Sequence, residues 1–486
     1  MQTTHPQPTA KSHKPQANSQ RLSFFQKLLY GSGDWGLSST GMLRSVFYAI
    51  YLTDVVGLDA RIGSFAALAG IIWDAVNDPI VGMISDRVRT KRGRRLPFLL
   101  WFGIPFGLSF ILLWWAPPWQ TQWALAIHIT LAFIIADTMS TLISIPYLSL
   151  TPELTRDYDE RTSLTSFRTF FELVAALAVV IFAPMIVDAV LAAGFTQQQG
   201  FLLVGAIFGG LAIPPYLIMP FVFKEDPVAD EPQPISLTKM LKTAWANVPF
   251  RYVAGIHTMN WSAVDMVAVT FPYFALYWIG KGDPLATINI FGLKLALESA
   301  FLGSLMVATI VFVPFWLWLS RRTNKRTAYL AGMIFWLVLQ FLIFTVQPGE
   351  TNKMLILSLL LGVGLSSAYV LPDSMFPDII EWDELETGLR QEGIYYGARA
   401  FIRKMASALV VFLTLQMLGW AGYMAPASDA VIFTQTEATL RMIRLMVSPI
   451  SALILSGAIL SAWLYPLTRE KHAKIREMLE KKKAVR

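Results

Sequence analysis

The sequence predicts an all-α membrane protein: twelve transmembrane helices arranged as two six-helix bundles. Three observations lead there. Of 486 residues, 55% are hydrophobic and only 15% are charged, against about 25% charged in an average soluble domain. The apolar residues fall in long runs, and a helix needs about 20 of them to cross a bilayer. The Lys and Arg residues collect in short segments between alternate runs, the pattern of a chain that keeps its positive loops on the cytoplasmic side. That pattern accounts for the net charge of +7 without a nucleic-acid partner. The chain has no cysteine, which excludes disulfides, thiolate metal sites and cysteine nucleophiles. Its five scattered histidines argue against a zinc site.

The runs fall near 28–52, 62–85, 96–116, 121–149, 165–193 and 199–223, then near 249–280, 293–319, 327–347, 353–380, 391–420 and 441–466. Residues 1–27 read as a cytoplasmic tail, 28–223 as the first bundle and 224–248 as a cytoplasmic linker. Residues 249–466 read as the second bundle and 467–486 as a second cytoplasmic tail. The first 24 residues are polar and lack the apolar core of a signal peptide. Arg87, Arg89, Lys91, Arg92, Arg94 and Arg95 follow span 2; Arg321, Arg322, Lys325 and Arg326 follow span 8. These two basic turns stand at matching places in a six-span unit, which suggests a parallel repeat with a path between its halves. Trp114, Trp115, Trp119 and Trp123 are expected as aromatic anchors at the opposite surface.

Longer motifs narrow the class. IIWDAVNDPIVGMISDRVRTKRGRR (71–95), SIPYLSLTPELTRDYDERTSLTSFRTFF (144–171) and PDIIEWDELETGLRQEGIYYGARAFIRK (377–404) occur in order along nearly the whole chain. They resemble the glycoside–pentoside–hexuronide:cation symporters of the major facilitator superfamily, to which the vertebrate sodium–lysophosphatidylcholine symporters are distantly related. The resemblance implies the major facilitator fold and transport of a sugar or glycoside, coupled to Na⁺ or H⁺.

The residues themselves point to a cation site in span 2. Asp74 and Asp78 are four apart and share a helix face, with Asn77 beside them. Carboxylates at membrane depth are costly and need a partner, and no Lys or Arg is adjacent in sequence. Oxygen ligands of this kind suit a hard cation; two close carboxylates sharing one proton are equally sensible chemistry. On span 4, Asp137, Thr141 and Ser144 share a face. The resemblance places Thr141 at a hydroxyl near the family's sodium site and puts Ser144 where an acid is usual. Asp137 is read either as a replacement charge or as a structural acid. Lys404 matches a family lysine close to the cation and sugar sites; it is read as a stand-in for the absent ion, as a permanent ion pair or as a side chain snorkelling to the inner surface.

The family's sugar-binding Asp and Arg fall on Ser38 and Thr169, with Asp34 one turn before the first and Arg168 next to the second. Arg168 and Glu172, four apart, are candidates to pair with each other. Arg44 is an intramembrane cation awaiting an anionic substrate or Glu172. His257, Asn260, Trp261 and Asp265 line a stripe of span 7 that suits stacking on a sugar face, with Tyr395 and Tyr396 as further contributors. Lys294 and Glu298 are expected to pair. Asp86 with Arg87, Arg92 and Arg95 resembles the superfamily's cytoplasmic gate. The acidic run Asp378, Glu381, Asp383, Glu384 and Glu386 is expected to meet such arginines across the face.

These features define a cation-coupled symporter working by alternating access, and not an enzyme. The implied partners are a small-molecule solute, a monovalent cation and the lipid bilayer, with no nucleic acid. No cofactor beyond the coupling ion is implied. A multi-pass monomer in the cytoplasmic membrane is expected, both termini cytoplasmic. A lysolipid or other amphiphilic or anionic solute is the alternative substrate. A non-transporting receptor on the same fold and a membrane-embedded hydrolase are the other classes.

Overall fold

The computed structural model describes residues 22–155, 158–225, 237–290, 292–389, 391–426, 432–467 and 469–485. The first half comprises α1 (Phe24–Ile50), α2 (Ala60–Arg87), α3 (Leu96–Leu113), α4 (Gln122–Ser149), the single turn α5 (Thr151–Leu154), α6 (Tyr158–Ala192) and α7 (Gln197–Val222). A short helix, α8 (Leu237–Ala246), precedes the second half: α9 (Val248–Tyr273), the strands β1 (Thr287–Ile290) and β2 (Leu293–Ala296), α10 (Leu297–Arg322), α11 (Lys325–Ile343), α12 (Thr351–Thr387), α13 (Glu392–Trp420), α14 (Glu437–Leu445) and α15 (Ser451–Leu464). A last helix, α16 (Arg469–Val485), follows.

Among the described residues, eleven helical segments are long and apolar enough to cross a membrane. The 27-residue α1 is of spanning length and packs as the twelfth. Its polar residues, which lower its hydropathy, include Asp34 and Ser39 on its buried face. Large apolar side chains such as Ile72, Val76, Ile80 and Met83 stay exposed along α2; in a bilayer that stripe faces lipid.

Helix pairing repeats from one half to the other. In the first, α1 packs on α6 and α7, α2 on α4, and α3 on α4 and α7. In the second, α9 packs on α13 and α15, α10 on α12, and α11 on α12 and α15. Span for span this is one pattern used twice. The halves meet through α2 with α13, α6 with α10, and α1 with α9.

The ends of the helices follow from local chemistry. Ser23 and Gln26 form a reciprocal capping box at the start of α1, satisfying two orphan N–H groups. Glu225 accepts from the backbone N–H of Arg94 at 2.6 Å and of Arg95 at 2.8 Å, a carboxylate set on the positive end of α3. Gly93 sits beside it with φ of +107°, and a Cβ there would lie 2.3 Å from the Glu225 carboxyl carbon. Both the turn and the cap therefore need glycine. Gly388 closes α12 in the left-handed region.

Two expectations change. Residues 293–296 are not the first turn of span 8 but strand β2, paired with β1 in an antiparallel hairpin. Lys294 therefore lies on a strand outside the helix of Glu298, and the i, i+4 argument for pairing them does not apply. Trp114 is not a surface anchor: it is 1% exposed and stacks on Phe201 at 5.3 Å. Trp115, Trp119 and Trp123 are exposed.

Candidate cation and substrate site

Asp74 and Asp78 lie midway along α2 and converge on Lys404 of α13. The Lys404 Nζ is 2.8 Å from Asp74 Oδ2 and also donates to Asp78 Oδ2. Thr141 of α4 donates to the other Asp78 oxygen at 3.2 Å. Asn77 is buried, and its Nδ2 has no hydrogen-bond partner among the described residues. Pro79 follows Asp78 inside the helix and cannot donate to the carbonyl of Ala75. One carbonyl oxygen between the two acids is thereby released from the helical ladder. Ser144 is partly buried one turn beyond Thr141. No Lys or Arg is adjacent to these acids in sequence; Lys404 arrives from the other half of the molecule.

Arg44 and Asp137 resolve together. Arg44 Nη1 bonds Asp137 Oδ1 at 3.2 Å and its guanidinium lies 5.0 Å from the Phe133 ring centre. Arg44 thus pairs with Asp137, where Glu172 or a substrate anion was expected. A cavity of about 210 Å³ is lined by Arg44, Asp137, Asp74 and Lys404, with Gly41 and Ser407 among its small residues. Asp137 therefore faces the same space as Asp74, although its own charge is already met.

Two more ion pairs stand in the central region, one in each half. Arg168 does not pair with Glu172; its Nε bonds Asp34 Oδ2 at 2.7 Å. Ser38 donates to Asp34 Oδ1 at 3.4 Å, and Thr169 is exposed beside them. In the second half Arg403 makes two bonds to Asp265, at 2.7 and 2.9 Å. Its guanidinium lies 5.3 Å from the Trp261 ring, which in turn packs edge-on against Tyr369. Asn260 is fully buried and bonds the Ala368 carbonyl, so this member of the stripe serves helix packing. Tyr395 is buried against Asn247, whereas Tyr396 is half-exposed and stacks on Phe376. Arg399 pairs with Asp373 at 2.6 Å, and His257 is 3.7 Å from the same carboxylate.

Asp54 was not singled out from sequence, yet it joins the halves far from the basic turns. It accepts hydrogen bonds from Tyr277 and Tyr423 of the second half, while Thr53 and Tyr273 are in hydrogen-bond contact at 2.9 Å. Gln416 reaches Ser64 at 2.8 Å nearby. Asp54 escaped notice because an acid at the end of an apolar run reads as an ordinary helix end. Both tyrosines lie more than 200 residues away.

Arg92 stacks on Phe221 at 4.7 Å, Arg95 donates to the Ser149 carbonyl, and Arg87 is exposed. The side chain of Asp86 lies outside the described residues. Two members of the acidic run pair inside the second half: Asp378 bonds Lys325 at 2.8 Å, and Glu381 bonds His472 and Arg476 of α16 at 2.8 and 2.9 Å. Among the described residues no group of three or more His, Asp or Glu side chains gathers as a metal site.

Two repeated six-span halves, enclosing ion pairs at mid-membrane, define a major facilitator-type membrane transporter. The chain belongs to the MFS/sugar transport protein family, whose model matches residues 29–469. It is 30% identical to an uncharacterized symporter of Synechocystis sp., covering 95% of this chain and 98% of that one. It is 26% identical to the sodium-dependent lysophosphatidylcholine symporter 1 of Gallus gallus, over 97% and 92% of the two chains. Among solved structures, a bacterial homologue of the human drug peptide transporters PepT1 and PepT2 superposes with a TM-score of 0.62 at 13% identity, covering 92% of this chain and all of that one. That likeness concerns the fold alone.

Proposed function

We propose that the protein is a cation-coupled symporter that carries a sugar or glycoside by alternating access. The observation that carries this reading is the Lys404 ammonium lodged between Asp74 and Asp78. Two carboxylates gripping an internal cation offer a site that an external monovalent cation can take over. Na⁺ would be held by Asp74 and Asp78 with oxygens from Thr141, Asn77 and Ser144; H⁺ would neutralise the pair instead. Either ion releases Lys404 and removes its tie between α2 and α13. Cation and substrate then favour the same state, and each raises the other's affinity by the same factor.

The solute would bind between Asp34–Arg168, with Ser38 and Thr169, and Asp265–Arg403, with Trp261 and Tyr396. Opposed charge pairs can bind several hydroxyls at once, and Trp261 supplies an aromatic face. The positive-inside pattern puts the basic face in the cytoplasm. The Asp54 cluster would then be an outer closure, holding the halves shut toward the exterior. The second reading, a lysolipid or other amphiphile, draws on the likeness to the lysophosphatidylcholine symporter.

Thermal unfolding of the purified protein with sugars, glycosides and lysolipids, each with and without sodium, separates these readings. A ligand at a hundredfold excess over its Kd stabilises the folded state by about 2.7 kcal/mol. A glycoside shift that grows with sodium is expected. A lysolipid shift alone would replace the substrate, and a shift dependent on acid but indifferent to sodium would replace the ion.

The outer closure yields its own expectation. The chain has no cysteine, so a single Ile50→Cys in the cavity that Asp54 also lines is a clean reporter. Asp54→Asn weakens both tyrosine bonds and should raise the rate of labelling from outside several-fold. Unchanged labelling would mean that these bonds do not hold the exterior shut.

A further inference from the structure

The second half carries a cavity that transport of a central substrate does not use. It lies at the basic face, has a volume of about 440 Å³, and is lined by Arg321, Lys325, Arg326, His472, Arg476 and the carboxylate of Asp378. Five separate segments build it: the end of α10, the start of α11, the 374–378 stretch of α12, Tyr465 and Leu467 after α15, and the last helix α16. Four fixed cations surround it; Asp378 in the wall bonds Lys325 at 2.8 Å, and Glu381 just beyond bonds Arg476. Arg326 spends its bonds on the carbonyls of Trp463 and Tyr465. Its charge is thereby held in place, and among the described residues no acid forms an ion pair with it. Asn324 caps α11 by accepting from Thr327 N–H at 2.7 Å, and this capped helix start borders the cavity. Asn324, Ser320 and Ser374 in the wall add neutral hydrogen-bonding groups.

The setting matches the boundary of a bilayer. Trp318 and Trp463, both at least half exposed, flank the segments that form the cavity. Tryptophan collects at the level of lipid headgroups. Arg322 stacks over Trp318 at 5.2 Å outside the cavity wall. The floor is anchored: Ile475 and Leu479 of α16 are buried, and α16 packs along α12.

We infer that this cavity is a binding site for a phosphate monoester group, seated between the α10–α11 turn and α16. Cation pockets beside membrane helices at the cytoplasmic surface take anionic lipid headgroups; a soluble phosphate offers the same chemistry. A phosphate there meets Arg321, competes with Asp378 for Lys325 and with Glu381 for Arg476, and so clamps α16 to the turn between α10 and α11. The occupant acts on the mobility of this half from the inner surface, apart from the transport path.

The test compares the full-length protein in nanodiscs of phosphatidylcholine with nanodiscs that also contain phosphatidic acid, and with phosphatidylcholine nanodiscs supplied with inorganic phosphate. Phosphatidic acid is expected to raise the unfolding midpoint by about 2–4 °C. The rise should vanish in Arg321→Gln/Arg476→Gln and fall by at least half in the milder Arg321→Gln, while Arg322→Gln, a charge change outside the cavity, keeps it in full. A rise with phosphatidic acid alone supports the site with a lipid as its source. An equal rise with inorganic phosphate supports the site with a free anion as its source. If neither probe shifts the midpoint, or if Arg322→Gln loses as much as Arg321→Gln, the site is overturned and only the general surface charge remains.

Discussion

Asp78→Asn is expected to abolish cation-stimulated uptake while leaving a folded, membrane-inserted protein. The carboxamide keeps the shape and can still meet Thr141, but the charge proposed to bind the ion is gone. Lys404 retains Asp74 at 2.8 Å, and the Asp78 side chain is 36% exposed, so the loss of stability should be modest, about 1 kcal/mol. The measurement is solute uptake into proteoliposomes against an imposed sodium or proton gradient, beside a thermal melt. Gradient-driven uptake at the wild-type rate would remove Asp78 from the coupling site. Loss of uptake together with loss of the folded protein would make it a structural acid.

Arg44→Gln should show the opposite profile. Asp137 is 3% exposed, and its Oδ2 already lacks a partner. Removing the arginine strands a buried carboxylate, a change that costs about 3–5 kcal/mol. Most of the folded protein should disappear from the membrane. The double variant Arg44→Gln/Asp137→Asn, which has no charge left to strand, should recover it. The readout is the amount and melting temperature of detergent-extracted protein. A stable single variant with weakened substrate affinity would return Arg44 to the substrate site.

The spans, the basic turns and the shared face of Asp74 and Asp78 were legible in the sequence because each depends on local periodicity. Residues four apart on a helix are neighbours whatever else the chain does. Partnership across the molecule was not legible. Arg168 has Glu172 four residues on, yet bonds Asp34 from 134 residues away, since α1 packs directly on α6. Lys404 reaches Asp78 from 326 residues away; here resemblance, and not spacing, marked the residue. Trp114 looked like its exposed neighbours because composition at a helix end does not say which way a ring turns. The β1–β2 hairpin was absorbed into an apolar run, where short strands and helix ends are hard to tell apart.

The Asp54 cluster, proposed above as the outer closure, stands on unusual backbone. α1 continues into a π-helical turn at Tyr51–Val55 and α9 into one at Phe274–Ile279, at corresponding ends of the two repeated halves. Asp54 lies in the first and Tyr277 in the second. A π turn holds one residue more than the α-helix allows, and such turns gather at functional positions. Returning that surplus residue to the regular ladder turns the backbone beyond it by about 100°. Such a slip in either turn would swing Asp54 or Tyr277 out of line without bending a helix or breaking the packing beneath. In the proposed closure, a local change of winding number would become rotation, and rotation would undo the grip that Asp54 holds on Tyr277.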